Sequence, residues 1–267
     1  MMLHLQTVEP RKGLVWIRHG LKVYRRRPLA LTALYAMAVM VGLLMSLLPE
    51  PLGNLALMLP PLVSLGFMLA THAVLQGQAP NASVYLAPLK LTKERRNTQL
   101  LLCLSYGLLL AGALLLAQTI DGGAFDHLQS LMQQDKRDEQ AILGALGDPR
   151  LFWGLMTALI AVAALSVPFW HAPALVHWAG QGLGQALFSS TLALWRNRGA
   201  FALSMLGWLG LGVVLSVVMS LVSALLGGAM SGVLTVLVGT WLTTAFYCSL
   251  YFSFVDCFMF SPEDIKI

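Results

Sequence analysis

The sequence predicts an all-α membrane protein with six transmembrane helices. Three observations point there. The 267 residues are 57% hydrophobic and only 11% charged, whereas soluble domains carry about 25% charged residues. Six apolar runs are each about 20 residues long, enough to cross roughly 30 Å of hydrocarbon at 1.5 Å per residue. Lysine and arginine are concentrated in alternate connecting segments. Backbone polar groups find no partner in lipid, and the runs lack the alternation of barrel strands, so helices are the form they must take. Six spans and their connections use up nearly the whole chain, which leaves no room for a separate soluble catalytic domain.

Residues 1–27 read as a basic cytoplasmic segment, 28–260 as the membrane domain and 261–267 as a cytoplasmic tail. The opening segment has no apolar core followed by a small-residue cleavage site, so it is not expected to be a removable signal peptide. Its residues 11–27 have helical amphipathicity: Leu14, Ile17, Leu21 and Tyr24 on one face, Arg11, Arg18, Lys22 and Arg25 opposite, with Val15 as the exception. That pattern predicts a helix lying in the membrane interface.

The spans follow at about 28–48, 55–75, 99–120, 151–170, 200–226 and 232–254. Pro60-Pro61 removes two backbone donors and is expected to kink the second span. Transporters tend to break helices at corresponding places in two repeats, and the sixth span has no matching proline. Residues 121–150 form the one substantial external loop, with Lys136, Arg137 and Arg150 among Asp121, Asp126, Asp135, Asp138, Glu139 and Asp148. Residues 174–194 are expected to form a second, less charged interfacial helix. In the fifth span Gly212, Ser216, Ser220, Ala224 and Gly228 form a stripe of small side chains suited to close packing by a neighbouring helix, by default within the chain.

Counting basic residues gives seven before the first span, four between the second and third, two between the fourth and fifth and one in the tail. Only three fall in the alternate segments. The positive-inside rule therefore predicts that both termini are cytoplasmic. Each odd-numbered span also follows a similar stretch: Tyr24-Arg25-Arg26-Arg27-Pro28, Glu94-Arg95-Arg96-Asn97-Thr98 and Trp195-Arg196-Asn197-Arg198-Gly199. Three repeats of one helical hairpin would produce this, although the sidedness of charge alone produces part of it.

Ionisable groups within spans are costly and mark sites by default. Asp256 shares a stripe of the sixth span with Thr240, Thr244, Cys248 and Phe252, which suggests either a polar track for a solute or proton, or pairing of Asp256 with Arg25, Arg27 or Arg196. His72 could bind a ligand or carry a proton, but has no partner four residues away to make a metal pair. His171 and His177 are six residues apart and do not converge on a helix. No metalloprotease, nucleophile-elbow, P-loop or paired-cysteine motif is present, and Gly182-Leu183-Gly184 lacks a preceding strand. The expectation is a protein that is not an enzyme and needs no cofactor or metal. The three cysteines lack disulfide or zinc spacing.

The stretch Phe169-Trp170-His171-Ala172-Pro173-Ala174-Leu175-Val176, then Ala186-Leu187-Phe188-Ser189-Ser190 and Trp195-Arg196-Asn197, resembles a family of uncharacterised six-helix inner-membrane proteins of proteobacteria. The Arg25-Arg26-Arg27-Pro28 stretch is similar to that family's N-terminal pattern, while the loop 121–150 is particular to this chain. The resemblance implies a bacterial inner-membrane location and the six-helix fold, and carries no catalytic residue. The function expected is binding of lipids or support of a membrane complex, through Arg18, Lys22, Arg25, Arg26, Arg27, Arg196 and Arg198 on anionic phospholipid headgroups. A homo-oligomer or a membrane-protein partner fits this, and nucleic acid does not. The alternative is a small transporter or channel using Asp256, Thr240, Thr244 and His72.

Overall fold

The apolar runs fold as helices that extend beyond the hydrocarbon. The computed structural model describes residues 4–134, 138–226 and 228–259. The tail 261–267 and Asp135, Lys136 and Arg137 of the external loop lie outside the described residues. Five helices are long and apolar enough to cross a membrane: α2 (Pro28–Ser46), α5 (Lys93–Asp121), α8 (Pro149–Phe169, continued by α9), α11 (Arg198–Leu226) and α12 (Gly228–Cys257). The helices α5, α11 and α12 run past the expected ends because their flanking Lys, Arg and Asp residues are tolerated in a helix once it leaves the lipid.

The second span departs from expectation. A 3₁₀ turn at Gly53–Met58 precedes α3 (Pro60–Leu75), so Pro60 and Pro61 begin that helix instead of kinking it. Proline fits the first turn, where its missing N–H would have no helical partner anyway. At 16 residues, α3 is about 24 Å long. A short helix α4 (Ser83–Leu86) follows it. The external loop contains α6 (Ala124–Gln133) and α7 (Glu139–Leu146).

The single helix expected over 174–194 is two: α9 (Ala172–Ala179) and α10 (Leu183–Arg196). Gly180 separates them at φ +65°, a left-handed conformation that only glycine adopts at little cost. The N–H groups of Gly180 and Gln181 return to the carbonyls of Val176 and Leu175.

The N-terminal helix α1 (Lys12–Arg26) is present, but a different face is buried: Gly13, Trp16, Ile17, Gly20 and Val23. Of the apolar face read from sequence only Ile17 is buried, and Leu14 is 42% exposed. The glycines cause the shift. Gly13 rests on the backbone of Ala200 and Ser204 in α11, and a Cβ on Gly20 would come within 2.7 Å of the Ala245 carbonyl oxygen in α12. The two contact zones lie roughly 30 Å along α11 and α12 from the link joining those helices. The helix α1 therefore crosses both at one level.

That level is where the core sits. Trp16, Phe169, Leu175, Val176, Phe201 and Phe254 pack together there, with α9, α10 and the ends of the long helices around them. The strands β1 (His4–Leu5) and β2 (Phe258–Met259) pair antiparallel, so the first and last described segments meet at the same end. Away from this cap α5 and α8 stay in contact, with Gly154 of α8 against Asp121 and Ala117 of α5, while Leu43, Leu108, Ile160, Val213 and Val236 are exposed. A large apolar surface of this kind is what lipid would cover.

Candidate functional site

Arg11, Arg18, Lys22, Arg25 and Arg26 project from the outer face of α1, and Arg27 follows it; all are exposed. The burial of the glycine-rich face leaves the basic face outward. At the junction of α10 and α11, Arg196 and Arg198 are exposed as well. Pro10, just before α1, packs against Gly199, which places the start of α1 beside this junction. The Arg198 guanidinium sits 5.6 Å from the centroid of the Trp195 ring, a cation–π arrangement. Among the described residues the ion pairs are Lys12–Asp256 and Arg150–Asp148, so Arg18, Lys22, Arg25, Arg26 and Arg196 have no carboxylate partner there.

The three repeat-like stretches are used differently. Arg95 is half-buried against Gly180 and donates to the carbonyl of His177 at 3.3 Å. It completes the C-terminus of α9, a structural task. Asn97 is exposed, while Asn197 is buried. The Asn197 side chain accepts from the backbone N–H of Val8 at 2.8 Å and donates to the carbonyls of Gln6 and Ala193 at 2.9 and 3.0 Å. Its amide also lies 3.4 Å from the Cys257 sulfur. One side chain thus joins the N-terminal segment, α10 and the end of α12.

Asp256 pairs with none of the three arginines considered from sequence. Its Oδ2 accepts from the Trp16 indole N–H at 2.8 Å and lies 3.8 Å from the Lys12 ammonium. The crossing of α1 brings its first turn, and not its last, to the end of α12. Thr244 and Cys248 of the proposed polar track, and His72, are also engaged within the protein. Thr244 is buried and donates to the Thr240 carbonyl at 2.6 Å, as a helical threonine does. Cys248 is buried among α2 and α3 residues. His72 Nδ1 lies 2.9 Å from the Tyr251 hydroxyl and its Nε2 is 3.0 Å from the Gln76 amide.

The small-residue stripe of α11 is not its inner face. Ser216, Ser220 and Ala224 are exposed and Gly212 is half-buried, whereas Leu211, Leu215, Met219 and Val222 are turned partly inward. The side chain of Gly228 is not among those described. Sequence reasoning passes over Trp16 and names Asn197 only within a motif, while it expects Ser189 or Ser190 to bond a backbone carbonyl. Ser190 accepts from the N–H of His171 at 3.0 Å and donates to the carbonyl of Val167 at 3.1 Å, bridging the break between α8 and α9. A signal did exist for these residues: polar side chains at helix junctions must take up backbone groups that the helices leave open. Among the described residues no group of three His, Cys, Asp or Glu side chains could hold a metal ion.

The chain is similar to a protein of Burkholderia thailandensis named a probable inner membrane protein. The two are 27% identical over 259 residues, covering 96% of this chain and 94% of that one. No family model matches the chain. No solved structure matches it. With five helices long and apolar enough to cross a membrane, this is an integral membrane protein.

Proposed function

We propose that the chain is a six-pass protein of the bacterial inner membrane, with both termini cytoplasmic, which uses its cationic cap without catalysis to hold anionic phospholipids and so support a membrane complex. The observation that carries this is the row of exposed basic side chains on α1 and at the α10–α11 junction that have no carboxylate partner among the described residues. Each basic residue near an anionic surface is worth about 1 kcal/mol, and the row adjoins helices whose flanks are apolar. The pairing of β1 with β2 supports an even number of crossings, because the two ends of the chain meet. On this reading α3 with its preceding 3₁₀ turn is the sixth crossing alongside the five long helices. Sidedness follows from the excess of Lys and Arg on the capped side. The inner-membrane location also rests on the name of the Burkholderia relative.

Native mass spectrometry and melting in nanodiscs test this. Phosphatidylglycerol should be retained and should raise the melting temperature relative to phosphatidylcholine, and the difference should shrink when Arg18, Lys22, Arg25 and Arg26 are replaced by Gln. Equal behaviour in the two lipids would count against the reading.

A further inference from the structure

On the underside of the cap, between the first turn of α3, the middle of α5, the end of α8 and α12, lies a recess of 130 Å³. Pro61, Ser64, Tyr106, Trp170, Phe246 and Tyr247 line it. It is separate from the cationic face and needs none of its residues.

Its chemistry is narrow. No Asp, Glu, Lys, Arg or His lines it, so a charged group would enter uncompensated and at high cost. Its size is close to that of the cavity of about 150 Å³ that takes one benzene ring. One ring or one ester fits, and a phospholipid headgroup does not. The serine hydroxyls are already committed: Ser64 donates to the Pro61 carbonyl at 3.0 Å and Ser166, also on the wall, to the Ala163 carbonyl at 2.7 Å. The phenols of Tyr106 and Tyr247 make no hydrogen bond among the described residues. Two unused donors in apolar surroundings call for an acceptor from outside the chain. Along α12 the recess lies roughly 30 Å from that helix's first residue, at the same level as the α1 crossing.

We propose that this recess binds the carbonyl end of an uncharged, tailed lipophile, with Tyr106 and Tyr247 donating to the carbonyl oxygen and the tail leaving toward the lipid. An acyl ester of a phospholipid and a ring carbonyl of a quinone share this chemistry.

The full chain in nanodiscs of diether phosphatidylcholine, which has no ester carbonyl, separates the two sources. Decyl-benzoquinone is titrated by tryptophan quenching, and diacyl phosphatidylcholine is followed by its retention in native mass spectrometry. Saturable binding of either probe is expected, and it identifies the source. The Tyr106→Phe, Tyr247→Phe double variant keeps both ring shapes and should weaken binding at least about tenfold, a loss read directly from the dissociation constant. Ser64→Phe, which fills the recess, should abolish it; if that variant does not fold, the tyrosine pair decides. Saturable binding of neither probe, as from a recess holding only water, overturns the proposal, and so does unchanged affinity in the tyrosine pair. The Arg18→Gln, Lys22→Gln, Arg25→Gln variant should bind both probes as the parent does. If its affinity falls, the ligand sits on the cap face and the recess assignment fails, whatever becomes of the cationic reading.

Discussion

Asn197 and Trp16 show how much of the cap depends on single side chains. Replacing Asn197 by Leu strands two backbone N–H or carbonyl groups or more, at about 1–3 kcal/mol each. A loss of about 3 kcal/mol or more is expected in denaturant unfolding of the purified protein. Trp16→Ala removes a side chain that is 1% exposed and should cost about 3–5 kcal/mol. Lys12→Ala tests the ion pair with Asp256, whose partners are 49% and 30% exposed; it should cost less than about 1 kcal/mol. The contrast between the last two compares loss of the packed indole and its hydrogen bond to Asp256 with loss of the ammonium alone. At this scale the sequence was only partly legible. Asp256 stood out as an acid near the end of a span, but its partners could not be read because they depend on the direction in which α1 crosses α12. Asn197 lay inside a recognisable motif, yet nothing local distinguished it from Asn97, which is exposed.

Close approach of backbones decides how the elements sit. Gly20→Val should either displace α1 or unfold the cap, because the new side chain would meet the Ala245 carbonyl and the Ser249 side chain. Overpacking of this kind typically costs about 1–3 kcal/mol. Hydrogen exchange should show faster exchange in α1 than in α5. A second prediction concerns the start of α8. Asp148 caps it, accepting from the backbone N–H of Arg150 at 2.8 Å. The side-chain hydrogen bond from Arg150, and then the backbone one, hold the Asp148 carboxyl below its ordinary value. A carboxyl depressed in the folded state adds stability above its unfolded value of about 3.9, and the contribution disappears as the pH falls through the folded value. The first turn of α8 should therefore remain protected at pH 4 and open only in stronger acid. Asp148→Ala should remove both the protection and its pH dependence. Hydropathy made the long helices legible because their length is set by the bilayer. It misplaced the face of α1, since an apolar scale gives glycine no weight at positions where its small size lets helices touch.

For the whole molecule the division is between a packed cap and helix faces left exposed below it. Leu209→Ala or Val213→Ala, on those exposed faces, should change stability within about 0.5 kcal/mol, whereas Phe254→Ala in the cap should cost about 3–5 kcal/mol. Thermal melting of the three variants in one lipid checks this. Sidedness is tested by cysteine labelling, for which the buried Cys103, Cys248 and Cys257 give a quiet background. Glu9→Cys should react from the cytoplasmic side of the membrane and Ser130→Cys from the other. Charge sorting yields a topology for that labelling to test, but where the core lies was not legible in it. Apolar composition is similar along a helix that faces lipid and one that faces protein, so only the packing of α1, α9 and α10 marks the capped end.

The short pairing of Leu5 with Phe258 also has a consequence in time. The ribosome releases the first of these residues some 250 positions before the second, and translation runs at about 5–20 residues per second. For that interval of roughly ten seconds or more, β1 has no strand to join and the apolar side of α1 has no complete α12 to lie on. The cap is thus the last part of the molecule to form. Until then the nascent chain carries its basic helix unsupported, and the bilayer surface is the nearest place for it to rest.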